Sequence, residues 1–229
     1  MQNDQHRQID SIIRVSQFMA DHQLDGPPYT AVRKRIDAAA IALPALAEAQ
    51  YRAHSRVVEV GGEILLLRQA LREDHMIKIA RTGKMVMKHD PGARKTFKVP
   101  GKRATSAALV TRARAMAKLA KPAHDEFVRE DFPPDFLTRM LNTAHELKGL
   151  EHERETTLRR QKATTAALAT GVPAARADVS ILDGLLLPRM RKERPLLHAW
   201  TFAKKLRGRR GRPMDRRWKW SRGKTPIGI

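Results

Sequence analysis

The chain of 229 residues has no cysteine. That excludes disulfides and thiolate chemistry, and it leaves any metal to histidines and carboxylates. Aromatic residues are scarce, at 5%. Alanine and leucine supply most of the apolar mass, which favours helix. No apolar run is long enough for a bilayer-spanning helix. The opening "MQNDQHRQID" has neither a basic start nor an apolar core. It predicts no signal peptide and a bacterial-type cytoplasmic location. No strand-like alternation runs past a few residues, and no internal repeat is visible.

Acidic residues are missing from long stretches too. The net charge is +21, and its placement matters more than its size. Residues 1–90 are nearly balanced, with 13 basic and 11 acidic groups. Residues 91–124 hold nine basic groups and no acid, and residues 156–229 hold 19 basic against four acidic. Between them, residues 125–155 carry four basic and nine acidic groups. Such a field attracts polyanions, either nucleic acid or an anionic surface. Simple solubility would explain a slight even excess, but not two basic blocks around an acidic one.

What is present is helical periodicity. A first helix is expected from about Asn3 to Gln23, with Ile9, Ile12, Val15 and Met19 on one face. Gly26 stops it, and Pro27–Pro28 open the next. In that second helix Ile36, Ala39, Leu43, Leu46, Gln50, Ala53, Val57, Val60, Ile64, Leu67 and Leu71 step by alternating threes and fours. This is a heptad seam that lies along a partner helix. Pro44 and Gly61–Gly62 predict a kink and a weak point in it. Residues 88–103, "KHDPGARKTFKVPGKR", carry turn signals and read as a loop. A third helix follows with Leu109, Ala113, Met116, Ala120, Ala123 and Phe127, bent or split at Pro122. A fourth starts at Pro133–Pro134 and closes at "TGVP" near Thr170. A fifth runs from about Pro173 to Arg207, broken by Pro188 and Pro195. The expected class is therefore all-α: an elongated bundle of about five helices, the second of them longest, over residues 1–203. A basic extension occupies residues 204–229.

The segments "LREDHMIKIARTGKMV", "PGARKTFKVPGKRATSAALVTRARAMAKLAKPAHDEFVREDFPPDFL" and "LLHAW" resemble an uncharacterised bacterial all-helical family of hypothetical proteins. The resemblance covers about residues 5 to 203. It implies a helical bundle and carries no activity or site residue. It also implies that the chain after Ala203 is an addition to the domain.

Catalytic motifs are absent. "HELKG" at His145–Gly149 has Gly149 where a zinc-protease helix needs its second histidine. There is no Glu-x-x-His for a di-iron bundle, no phosphate-binding Gly-rich loop and no nucleophile elbow. "EDH" at 73–75 places neighbours that point apart on a helix. The reading is a non-enzyme without a cofactor.

The tail, "KKLRGRRGRPMDRRWKWSRGK", carries eleven basic groups against one acid. Arg210, Gly211, Arg212 and Pro213 resemble the core of the AT-hook, which lies extended in the minor groove of A·T-rich DNA. Arginine follows the negative groove and glycine lets the backbone approach its floor. Arg209 stands where that motif usually has proline. Gly208–Gly211 also spells a GxxG, but the mixed domain that loop requires is not expected here. Trp218 and Trp220 sit among Arg216, Arg217 and Lys219, where rings can stack on bases while cations hold phosphate. In the alternative structural reading the same rings fold back and cap the bundle. A membrane foot ranks lower, because Gly208, Gly211 and Pro213 prevent a continuous apolar helix face. The candidate nucleic-acid residues are thus Arg94, Lys95, Lys98, Lys102 and Arg103 in the loop. In the tail they are Lys204, Lys205, Arg207, Arg209, Arg210, Gly211, Arg212, Pro213, Arg216, Arg217, Trp218, Lys219 and Trp220. The alternative is an assembly protein, in which the second helix's seam forms a homo-oligomer and the tail binds an acidic protein surface.

Overall fold

A computed structural model gives the structure, and it describes residues 2–22, 27–88 and 91–206. The protein is all-α, with no strand among the described residues. The elements are α1 (Gln2–Asp21), α2 (Pro27–Gln69), a π-helical stretch (Ala70–Met76), α3 (Ile77–Val86), α4 (Pro91–Thr96) and α5 (Ser106–Ala120). A single 3₁₀ turn (Lys121–Ala123), α6 (His124–Arg129), α7 (Phe136–Met190) and α8 (Arg194–Lys204) follow. Two compact units result: Met1–Ala47 with Ala166–Ile229, and Glu48–Thr165.

In the first unit, Ile9, Ile12, Val15 and Met19 of α1 are all buried, as their spacing requires. They meet Ile36 and Leu43 of α2, Leu168, Val172, Val179 and Leu182 of α7, and Trp200 of α8. Gly171 permits the close approach of α2: a Cβ there would lie 2.9 Å from Leu43 Cδ2. Side chains tie the end of α8 to α1. Ser11 Oγ donates to the Lys204 carbonyl at 2.9 Å, and Arg14 Nη2 donates to the Lys205 carbonyl at 2.7 Å. Trp200 Nε1–H donates to Asp183 Oδ1 at 2.6 Å, and Lys204 Nζ bonds the same oxygen.

That site has a pH consequence. Burial pushes the Asp183 carboxyl up, but the hydrogen bonds from Lys204 and Trp200 and the Lys204 charge outweigh it, so its pKa is lowered overall. A carboxyl lowered by folding stabilises above its unfolded pKa, and that stability is lost as pH falls through the folded value. Asp183→Ala should therefore cost about 1.5–3 kcal/mol at neutral pH. The deficit should shrink in acid, as melting temperatures of both proteins across a pH series would show.

Several helix boundaries differ from the sequence expectation. The longest helix is α7, with 55 residues, and not α2, with 43. The expected stop at Thr170 does not occur, because Pro173 lies inside α7. An interior proline costs about 3 kcal/mol. Burying one Leu or Val returns about 1.5–3 kcal/mol, and Leu168, Val172 and Val179 are all buried around it. Pro188 is likewise inside α7, which ends at Met190, while Pro195 occupies the first turn of α8. Pro195 thus starts a helix rather than breaking one. The last helix stops at Lys204, short of Arg207. Pro44 and Gly61–Gly62 lie within continuous α2. A π-helical stretch follows α2, where Leu71 and Met76, five residues apart, both reach the core.

The second unit is built on Val60, Ile64, Leu71, Met76, Ile79, Leu109, Ala113, Met116, Phe127, Met140 and Leu147. Phe127 organises an aromatic group, with ring centroids 5.5 Å from Phe132, 5.3 Å from Phe136 and 6.4 Å from Phe97. Pro122 does split the third expected helix, into α5 and α6. The α2 seam is filled within each unit by the chain itself: Ile36, Leu43, Val60, Ile64 and Leu71 are buried, and Leu46, Val57 and Leu67 are half-buried.

Candidate nucleic-acid interface

The basic loop belongs to the second unit. Its first part is not a loop: residues 91–96 form α4, which contains Arg94 and Lys95. The expectation failed there because Asp90-Pro91-Gly92 reads as a turn, whereas Pro91 opens a helix at its first position. After α4, Phe97 inserts fully into the core. Gly83 of α3 makes room for it, since a Cβ at that position would lie 2.6–2.8 Å from three atoms of the Phe97 ring.

Three arginines then hold the loop backbone. Arg112 Nη1 donates to the Lys95 carbonyl at 3.2 Å, Arg72 Nε to the Pro100 carbonyl at 3.2 Å, and Arg68 Nη2 to the Ala104 carbonyl. The Ala104 N–H bonds the Gly101 carbonyl at 3.0 Å, and Thr105 Oγ1 caps α5 by accepting from the Ala108 N–H at 3.2 Å. The Lys95, Pro100, Gly101 and Ala104 carbonyls are thereby bonded within the chain, while the side chains of Lys95, Lys98, Lys102 and Arg103 stay exposed. Among the described residues none of these four cations has a carboxylate partner, so each is available to an external anion.

The tail residues fare differently. Lys204 is not part of a free tail: it ends α8, pairs with Asp183 and lies 5.9 Å above the Trp200 ring. Lys205 is exposed, with its carbonyl held by Arg14. Arg207, Arg209, Arg210, Gly211, Arg212, Pro213, Arg216, Arg217, Trp218, Lys219 and Trp220 lie outside the described residues.

Sequence reading missed a second cationic row. Arg114, Lys118 and Lys121, spaced four and three apart, line one exposed face of α5 and the turn after it. The signal was available, because the acid-free block runs on to His124. Arg114 divides two hollows. One, of about 420 Å³, is lined by Thr105, Ser106, Val110, Arg114, Lys148 and Glu151. Glu151 accepts a hydrogen bond from Ser106 Oγ, which leaves a carboxylate inside that hollow. The other is lined by Arg114, Lys118, Lys121, His124, Leu137 and Leu141, among others.

His124 is fixed in place. Its Nε2 is 2.8 Å from the Pro134 carbonyl, its Nδ1 is 3.3 Å from Asp125 Oδ1, and its ring stacks on Phe136 at 5.6 Å. The Pro134 carbonyl, and Asp125 after it, hold its imidazolium above the ordinary histidine range. No group of His, Asp and Glu among the described residues is arranged to hold a metal ion. No described helix is long and apolar enough to cross a membrane. No family model matches the chain, and neither a curated protein nor a solved structure matches it.

Proposed function

We propose that this chain is a non-enzymatic, cytoplasmic nucleic-acid-binding protein. It grips phosphate through the loop cations and the basic tail. The observation that carries this reading is the loop itself. Lys98, Lys102 and Arg103 are exposed, without carboxylate partners among the described residues, on a backbone fastened by Arg68, Arg72 and Arg112. A fixed cationic edge loses little conformational freedom when it meets a polyanion, so more of the attraction appears as affinity. Such contacts are independent of sequence and release counterions. Arg210 and Arg212 add the capacity to follow an A·T-rich minor groove.

The test is the triple variant Lys98→Glu, Lys102→Glu and Arg103→Glu. Each phosphate contact on duplex DNA contributes about 0.9 to the salt slope, so the slope of log K against log salt should become shallower by about 2.7. The melting temperature should hold, because the three side chains are exposed and have no carboxylate partner among the described residues. Unchanged binding at low salt sinks the loop's role.

A second reading, homo-oligomeric assembly, has its own observation. On α2, Tyr51, Val58 and Leu65 are seven residues apart and 68%, 63% and 65% exposed. They form an apolar face distinct from the seam that the chain fills itself. If this face pairs two copies, Val58→Glu should convert a dimer to a monomer in light scattering. A monomeric parent protein removes this reading.

A further inference from the structure

We propose that the hollow between α5 and the first turns of α7 binds an unpaired nucleic-acid strand. Phosphates would lie on Arg114, Lys118 and Lys121, and a base on Leu137 and Leu141. This rests on the nucleic-acid reading above and adds both a second site and the class of strand it takes.

The hollow measures about 680 Å³, and no carboxylate among the described residues lines it. Arg114, Lys118 and Lys121 are exposed and have no carboxylate partner among the described residues. Along the helix axis, seven residues span about 10 Å. A strand rises at least about 3.4 Å per nucleotide, so the row meets two or three consecutive phosphates. His124 also lines the hollow, but both its ring nitrogens already have partners, so it offers no new hydrogen bond. Asp125 is 96% exposed and lies 3.3 Å from His124 Nδ1, on the hollow's rim. Asp135, also nearby in sequence, is held by Arg139.

The floor decides between strand and duplex. Leu137 is half-buried and Leu141 is 38% exposed, beside Ala117 and Pro134. An apolar floor next to a cationic row suits a base whose flat face is open. In a duplex those faces are stacked away and only phosphates and groove edges are presented. The hollow beside Ser106 lacks this pairing of features, because Glu151 stands in it.

The experiment uses the full chain, a labelled oligothymidine and a duplex of equal length, with affinity read by fluorescence anisotropy across a salt series. Lys118→Ala with Lys121→Ala should weaken the strand about tenfold at low salt and make its slope shallower by about 1.4, at 0.7 per phosphate. The duplex should change much less. Leu141→Ser, at an exposed position, should weaken the strand without altering its slope, because a base contact releases no counterion. An unchanged strand in both variants overturns this site and leaves the loop and tail standing. Equal loss on strand and duplex also overturns it, since the row would then act by charge alone. If the parent protein binds neither probe, the functional reading falls with it.

Discussion

Gly83→Ala should destabilise the second unit sharply, although alanine is the better helix former. The helix preference favours alanine by about 1 kcal/mol. Against it stands a Cβ forced to within 2.6–2.8 Å of three Phe97 ring atoms, in a core where that ring is fully buried. A ring cannot fold out of the way as the end of a leucine can. Overpacking of this kind costs about 1–3 kcal/mol, occasionally more. Set against the helix preference, this leaves a net loss of up to about 2 kcal/mol, with a fall in melting temperature of about 2–4 °C per kcal/mol for a chain of this size. The functional effect follows from position. Phe97 is the seat of the segment that carries Lys98, Lys102 and Arg103, so shifting the ring moves those cations. Polyanion affinity should drop with stability. Phe97→Ala, which removes the ring, should cost about 3–5 kcal/mol. Adding Gly83→Ala to Phe97→Ala should then cost nothing or give a small gain, because the clash no longer exists. If Gly83→Ala raises the melting temperature of the parent chain, the packing described here is wrong.

Truncation after Leu206 should separate binding from folding. Residues 207–229 carry nine basic groups and one acid. If about half of those cations neutralise phosphate on duplex DNA, their removal should make the salt slope shallower by about 4. The melting temperature should be unchanged, because the cut leaves in place the described contacts that fasten α8: the Lys204 side chain on Asp183, and the carbonyls of Lys204 and Lys205 on Ser11 and Arg14. Truncation before Lys204 should give a different result. It removes the Asp183 cation and both carbonyl acceptors, and the first unit should melt lower. A cut at 204, where the sequence alone places the domain boundary, would therefore confuse a stability defect with a binding defect.

The contrast between those two cuts shows where sequence reading succeeds. The α1 stripe of Ile9, Ile12, Val15 and Met19, the α2 seam and the split at Pro122 are local patterns, and each is present in the fold. The end of α7 was misjudged because "TGVP" carries every local mark of a stop. What keeps the helix going is long-range burial of Leu168, Val172 and Val179, which no window of sequence contains. The two units have the same cause of invisibility: their boundaries fall inside α2 and α7, with no linker composition to mark them.

For the site, the charge block from Arg94 to Lys121 was plain as composition. Its division into anchors and free cations was not. Arg112 faces inward to the Lys95 carbonyl, while Arg114, two residues on, faces out. Both are arginines in one acid-free run, and only the helix phase and the position of α4 distinguish them. Leu137 and Leu141 could not be tied to Lys118 and Lys121 from sequence, since the acidic segment that starts at Asp125 intervenes. The tail is legible as charge, as a partial AT-hook core from Arg210 to Pro213 and as two tryptophans among cations, all of it outside the described residues.

The most direct test of the central claim is the affinity of the intact chain for a short duplex, measured across a salt series. The account predicts tight binding at low salt and a linear fall of log K with log salt, with a slope of roughly −4 to −5 from the tail, steepened further by the loop. No binding at low salt, or binding that does not respond to salt, would contradict it.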